Sequence, residues 1–445
     1  MSGILRAANG RSLEEINSTI PMPPKDASFW RNLARFSGPG ALVAVGYMDP
    51  GNWVTSIGGG SRYGYLLLSV VLLSSLVAML LQHFSAKLGI VTGLDLAQAT
   101  RLHTSKRMGV ALWVVAELAI MATEVAEVLG SAIALHLLFG LPILVGVLLT
   151  VLDVLLLLLL LRIGFRKIEA IVATLILTIV LVFAYEVALA NPDFAAIAAG
   201  FVPQAEVLEP GRLTMALGII GATVMPHNLY LHSSIVQSRA VDRSDPGEVK
   251  RALRFATWDS NLQLGAAFFV NCLLLLLGAA LFYGAGDDFS TFTAVYDALQ
   301  NPNLSGAIAS PVLSTLFAVA LLASGQNATI TGTLTGQIVM EGFLRVRLPM
   351  WLRRLITRTL AVIPVIILTV KYGGDEVMLD NIMIYSQVFL SLALPISMIP
   401  LVWFTSSRKI MGDAFANPRW AAIAGWIITA VLTALNFQLV LELLV

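Results

Sequence analysis

The stretch Gly46-Tyr47-Met48-Asp49-Pro50-Gly51-Asn52 decides the fold. It interrupts an apolar run that starts near Pro39 and resumes at Trp53. Pro50 and Gly51 are helix breakers. A carboxylate at membrane depth is costly and usually functional. Irregular backbone at that depth survives only when buried in protein or lining a cavity. Together these features predict a place where freed carbonyls join oxygens of Asp49 and Asn52 around a cation. A second break, Met225-Pro226-His227-Asn228, lies in a later apolar segment. Two interrupted helices at matching positions of two halves point to the binding site of a transporter.

Composition agrees. The 445 residues are 57% hydrophobic and 12% charged, where a soluble domain carries about 25% charge. The expectation is an all-α polytopic protein of a cell membrane, the inner membrane where there are two. The net charge of +1 gives no footprint for nucleic acid. The lone Cys272 excludes an intramolecular disulfide. Residues 1–37 read as a polar cytoplasmic tail with no cleavable signal, disordered or with a short amphipathic helix from Leu13 to Ile20.

A bilayer span needs about 20 apolar residues. About eleven such spans follow, near 38–59, 64–90, 108–138, 141–161, 167–190, 212–238, 257–284, 307–340, 353–371, 379–403 and 420–444. Lys and Arg gather in alternate loops, including Lys25, Arg31, Arg35, Arg101, Lys250, Arg251 and Arg358. The opposite loops hold Asp193, Glu206, Glu209, Asp287, Asp288 and Asp375. The positive-inside rule then sets the N-terminus in the cytoplasm and the C-terminus outside. The broken spans are the first and the sixth. This predicts a five-plus-five inverted repeat, about 38–190 and 212–403, with an added helix at 420–444, all within a transmembrane domain of 38–445.

At the first break Asp49 offers a charged oxygen and Asn52 a neutral one; at the second, Met225 offers a thioether and Ala222 a freed carbonyl. A thioether among oxygens shifts preference from magnesium and calcium toward manganese or ferrous iron. Core filling is the plainer use of a lone Met. His227 is a weaker metal ligand, and either His227 or His232 could carry a proton. Glu117, Glu124 and Glu127 share one stripe of the third span. They must face a cavity or arginines, with Arg239 or Arg353-Arg354 as partners. A proton relay and a static ion-pair network explain the stripe equally. Asn271 and Gln387 fit interhelical hydrogen bonding, and Gln387 could also complete a cation's shell.

Asp49-Pro50-Gly51-Asn52, Ala222-Thr223-Val224-Met225-Pro226-His227-Asn228, Tyr230-Leu231-His232-Ser233 through Arg239, and Gly336-Gln337-Ile338-Val339-Met340-Glu341-Gly342-Phe343 resemble the signatures of the Nramp metal transporters, most of all their bacterial manganese branch. The resemblance runs from about Phe36 onward. It implies the LeuT-like fold and proton-coupled symport of Mn2+ and Fe2+, with Cd2+ also carried, into the cytoplasm by a working monomer without a permanent cofactor. It implies Asp49, Asn52, Met225 and the Ala222 carbonyl as metal ligands, with the Gly46 carbonyl and Gln387 joining in some conformations. Glu127, His232 and a Glu117–Arg239–Arg353–Arg354 network belong to the implied proton route. The family usually has Asp where this chain has Glu124.

The rivals are weaker. A magnesium transporter of the same fold leaves Met225 unexplained. In a sodium-coupled amino-acid carrier, Asp49 would repel the substrate carboxylate. An intramembrane metal hydrolase needs a closed set of three ligands, and no HExxH is present.

Overall fold

The computed structural model describes residues 6–7, 12–14, 16–152, 193–284, 291–301, 310–372 and 375–444, together with 174, 177, 181, 184, 185 and 187. Most of the fifth expected span and the end of the fourth lie outside the described residues.

The first expected span is two half-helices, α1 being a short lead-in. Helix α1 (Phe29–Phe36) is capped by Ser28 and turns through Ser37-Gly38 into α2 (Pro39–Gly46). Helix α3 (Pro50–Tyr63) starts anew with Asp49 as its N-cap. Pro50 suits the first helical position because its missing N–H has no intrahelical partner there. Next come α4 (Leu68–Thr92), α5 (Leu96–His103), α6 (Lys106–Phe139), α7 (Ile143–Leu149) and α8 (Phe194–Gly200). The sixth span repeats the break, with α9 (Arg212–Thr223) and α10 (Pro226–Ile235) separated at Val224-Met225 and Pro226 again leading. The chain continues through α11 (Pro246–Phe282), α12 (Phe292–Gln300), α13 (Pro311–Leu344), α14 (Met350–Lys371), α15 (Glu376–Ser406), α16 (Arg408–Met411) and α17 (Arg419–Leu444).

Among the described residues, α4, α6, α11, α13, α15 and α17 are each long and apolar enough to cross a bilayer. The fold is all-α and broken twice, as expected. The half-helices are buried in the protein, where bare backbone ends can be satisfied. Helix α6 packs on α13, α3 on α11, and α9 on α15.

The opening segment departs from expectation. No amphipathic helix forms over Leu13–Ile20; turns at 12–14 and 16–18 lead to a strand. Strand β2 (Ile20–Pro21) pairs in parallel with β3 (Arg239–Ala240). Strand β1 (Arg6–Ala7) pairs antiparallel with β4 (Val346–Arg347). The buried backbone N–H of Leu13 donates to Glu341 Oε2 at 3.1 Å. Backbone pairing with distant segments leaves no local periodicity to read. Nearby, Asp95 caps α5, and burial pushes its carboxyl up to about 6, its hydrogen bonds opposing the rise.

Candidate metal site and the buried charge ladder

The half-helix break frees three carbonyls, and each finds a donor. Gly46 O accepts from Asn52 Nδ2 at 3.1 Å, and Tyr47 O from Asn271 Nδ2 at 3.0 Å. Met48 O accepts from Trp53 Nε1 at 2.9 Å and from Ser324 Oγ. This is the complete pairing that buried backbone requires. Asp49 is fully buried, and its Oδ1 accepts from Asn52 N at 2.8 Å and Nδ2 at 2.9 Å. Asn52 Nδ2 also reaches across the molecule to Ala222 O at 3.0 Å.

One amide nitrogen thus faces Gly46 O, Asp49 Oδ1 and Ala222 O together. These are acceptors gathered from both breaks around a single donor. A metal ion satisfies the same acceptors with a full charge. Rotating the Asn52 amide by half a turn presents its oxygen instead, since the two orientations differ only in the hydrogen bonds they make. Among the described residues, buried oxygens of this neighbourhood, including Asp49 Oδ2, Asn228 Oδ1, Asn271 Oδ1 and Gln387 Oε1, have no hydrogen-bond partner. Unpaired buried acceptors are costly, and a cation removes that cost.

Close approach explains two glycines. A Cβ on Gly46 would lie 2.2 Å from Asn228 Nδ2, and one on Gly51 would lie 2.2 Å from Gln387 Nε2. Asn228 in turn stands 3.7 Å from Met225 Sδ. Met225 is fully buried, between Ala119 of α6 and Leu390 and Ala393 of α15. Asp49, Asn52, Gly46, Ala222, Met225 and Gln387 therefore come together where the two breaks meet. Asn271 stands behind them, also contacting Asn52 Oδ1 at 3.4 Å. His227 is buried, with no partner for Nδ1 among the described residues. His232 Nδ1 pairs with Gln82 Oε1 at 3.0 Å, and Gln82 Nε2 donates to the Tyr47 hydroxyl at 2.8 Å. Gln82 thereby links His232 to the residue two before Asp49.

Sulfur in such a set bears on selectivity. If these residues hold a divalent metal ion, Met225→Ala is expected to weaken manganese and cadmium binding several-fold and to relax exclusion of calcium and magnesium. The motive is ligand softness. Selectivity is a difference of affinities, so competing metals are measured in parallel. An unchanged calcium-to-manganese ratio would reduce Met225 to packing.

The carboxylate stripe of α6 meets arginines of α14. Arg353 Nη2 bonds both oxygens of Glu117 at 2.8 Å. Arg354 Nη1 bonds Glu124 Oε1 at 2.9 Å, and its Nη2 lies 3.5 Å from Glu127 Oε2. Arg358 Nη2 lies 3.6 Å from the same Glu127 oxygen and donates to Thr329 Oγ1 at 2.8 Å. Thr329 Oγ1 donates to Glu127 Oε2 at 3.2 Å.

Two expectations change here. Arg239 is not a partner of Glu117; its guanidinium donates to the carbonyls of Arg35, Phe36 and Ser37 at 2.9–3.2 Å, holding the end of α1. Arg239 stands in β3, past the end of α10, and its guanidinium meets these carbonyls and not the stripe. Arg358, read as a loop cation, is fully buried on the ladder. Its spacing of four from Arg354, which puts both on one helix face, was the available signal. Thr329 and Gln82 carried no signal, since their roles come from helices distant in sequence.

The family model of natural resistance-associated macrophage protein-like (Nramp) proteins matches residues 40–442. The divalent metal cation transporter MntH of Latilactobacillus sakei is 61% identical over 436 residues, covering 98% of this chain and 95% of that relative. A mutant form of the manganese transporter of Eremococcus coleocola superposes with a TM-score of 0.90 at 54% identity, covering 96% of this chain and 90% of that one. The nucleobase–cation symporter Mhp1, at 14% identity and a TM-score of 0.60, shares the fold over 96% of this chain and 93% of its own.

Proposed function

This chain belongs to the Nramp family and moves divalent metal ions across a membrane, and from that premise we propose that its cargo is Mn2+ and Fe2+, with Cd2+ also carried, brought into the cytoplasm together with protons. The family is one of transporters, so the chain is not an enzyme. The observation that carries the reading is the buried Asp49 carboxylate at the junction of two broken helices. Carbonyls of Gly46 and Ala222 share its Asn52 amide partner, and the sulfur of Met225 lies 3.7 Å from Asn228, the residue that crowds Gly46. A single negative charge with neutral oxygens and one soft sulfur favours manganese or ferrous iron over magnesium.

The half-helices supply the movement. Each side of the site is built from a segment that ends at the break, so rocking one repeat against the other exposes the ligands to one side at a time. The basic loops support a cytoplasmic N-terminus and import toward that side. A working monomer holds the whole site within one chain.

The ladder is the proposed proton route. Glu124 Oε1 is paired with Arg354, while Glu124 Oε2 is buried with no hydrogen-bond partner among the described residues. A purely structural ion pair satisfies both oxygens; a carboxylate with one oxygen left open has room for a proton. Arg354 contacts both Glu124 and Glu127, so it can follow the charge from one carboxylate to the other. Separately, the His232–Gln82–Tyr47 chain gives a second polar path that ends two residues before Asp49.

The test uses proteoliposomes with an internal pH dye and a panel of divalent metals. Manganese or ferrous iron is expected to acidify the lumen as it enters. Glu124→Gln should lower metal-driven proton influx about a hundredfold, the lower end of the effect of a positioned proton-transfer group, with metal uptake less affected. Glu124→Asp should retain coupling. Proton and metal fluxes both unchanged in Glu124→Gln would make the ladder a static brace.

A further inference from the structure

Helix α1 lies against the start of α11 on the N-terminal side of the spans. Its inner face is aromatic: Phe29 meets Phe255 with ring centroids 5.5 Å apart and Trp258 at 6.0 Å, and Phe36 stacks on Phe255 at 5.9 Å. Its outer face carries Trp30, 75% exposed. On α11, exposed Trp258 and Leu262 continue one stripe four residues apart, with Phe269 exposed further along. This stripe faces lipid, and Trp marks the depth of the headgroups. Arg254 is one turn before Trp258, about 6 Å along the axis, which sets it among the phosphates.

Crevices flank α1 at that level. One, of ≈ 430 Å³, is lined by Lys25, Lys250, Arg251 and Arg254 over the rings of Phe29 and Phe255. The other, of ≈ 540 Å³, holds Arg31 and Arg35. Neither lining contains an acidic side chain. Lys25 pairs with Asp245 at 3.0 Å, and Arg251 donates to Pro24 O at 3.0 Å. Among the described residues Arg31, Arg35, Lys250 and Arg254 have no carboxylate partner; Arg254 lies over the Phe255 ring at 5.8 Å. The acids nearby are Asp26, Asp242, Asp245 and Glu248, and Glu248 accepts from Asp242 N at 2.8 Å.

We propose that these crevices are a binding site for the phosphate headgroups of anionic phospholipids of the facing leaflet, held by Lys250, Arg254, Arg31 and Arg35 with Trp30 and Trp258 set in the bilayer beside them. The charge is one-signed, the aromatic floor supports the acyl-glycerol region, and basic residues beside a span attract anionic lipid. The site bears on transport through its neighbour. Helix α1 runs into half-helix α2, whose Gly40 N is held by Asp259 Oδ2 at 2.7 Å, and Arg239 grips the end of α1. A lipid on α1 therefore holds the segment leading to the metal ligands.

The test takes the full chain in detergent and offers phosphatidylglycerol, phosphatidylcholine or inorganic phosphate, with retained lipid read by native mass spectrometry. Phosphatidylglycerol is expected to be retained over phosphatidylcholine, with about fivefold of that preference lost per basic residue removed. The variants are Lys250→Gln/Arg254→Gln and, on the other crevice, Arg31→Gln/Arg35→Gln, so that misfolding of one leaves the other to decide. Manganese uptake by the unmodified chain should be faster in vesicles containing phosphatidylglycerol than in pure phosphatidylcholine, and the difference should shrink in the variants. Equal retention of the two lipids, or a preference unchanged in both variants, would overturn the proposal. So would displacement of phosphatidylglycerol by inorganic phosphate at equal concentration, which would indicate a free-anion site.

Discussion

Replacing Asp49 by asparagine is expected to abolish divalent metal uptake while leaving the protein folded. Two roles meet in this side chain, and the substitution separates them. As N-cap of α3, Asp49 accepts from Asn52 N, and asparagine caps a helix about as well. In the proposed metal site it supplies the one formal negative charge in the set of six residues at the breaks. Removing one partner from a buried pair of charges costs about 3–5 kcal/mol, which is a hundredfold or more in affinity at about 1.4 kcal/mol per tenfold. Binding of manganese by calorimetry and uptake into proteoliposomes should fall together, with the elution profile unchanged. Asp49→Ala should lose uptake too and also lose about 1 kcal/mol of capping. Near-normal uptake by Asp49→Asn would remove Asp49 from the site.

Arg354 should be the most damaging single position for stability. Its side chain is fully buried and bonds Glu124 at 2.9 Å and Glu127 at 3.5 Å. Arg354→Gln leaves two carboxylates in a poorly solvated place with Arg358 alone to share between them. A cost of about 3–5 kcal/mol follows from a buried charge left uncompensated. It should appear as a large fall in the unfolding midpoint of the detergent-solubilised protein. The double variant Arg354→Gln/Glu124→Gln should recover part of that loss, because one of the two stranded charges is then gone. Residues in one ion-pair network are coupled, and the double-mutant cycle measures that coupling directly. Additive losses would mean that Arg354 and Glu124 do not stabilise one another. By contrast, Arg353 holds a partly exposed Glu117, so Arg353→Gln should cost less.

Much of the site was legible along the chain because its signals are local. Asp49-Pro50 and Met225-Pro226 announce helix ends wherever they fall, since proline lacks the N–H and sets φ. Their depth in apolar runs makes the breaks functional. The offsets of Glu117, Glu124 and Glu127 put them on one stripe by helical period alone. Each of these readings depends on residues within a few turns of one another, and the all-α, twice-broken fold follows from them with the length of the apolar runs.

Pairings between segments were decided only by the tertiary structure. Asn52 reaches Ala222, 170 residues away, and Gln387 closes on Gly51 so tightly that no Cβ fits. Arg358 was read as a loop cation and is buried on Glu127, while Arg239, expected beside Glu117, holds the end of α1. The opening segment, expected to be disordered or helical, contributes strands and places Leu13 on Glu341. Helix period says which side chains share a face, but not which other face they meet. That depends on the relative position and rotation of whole helices, which packing across the entire chain determines.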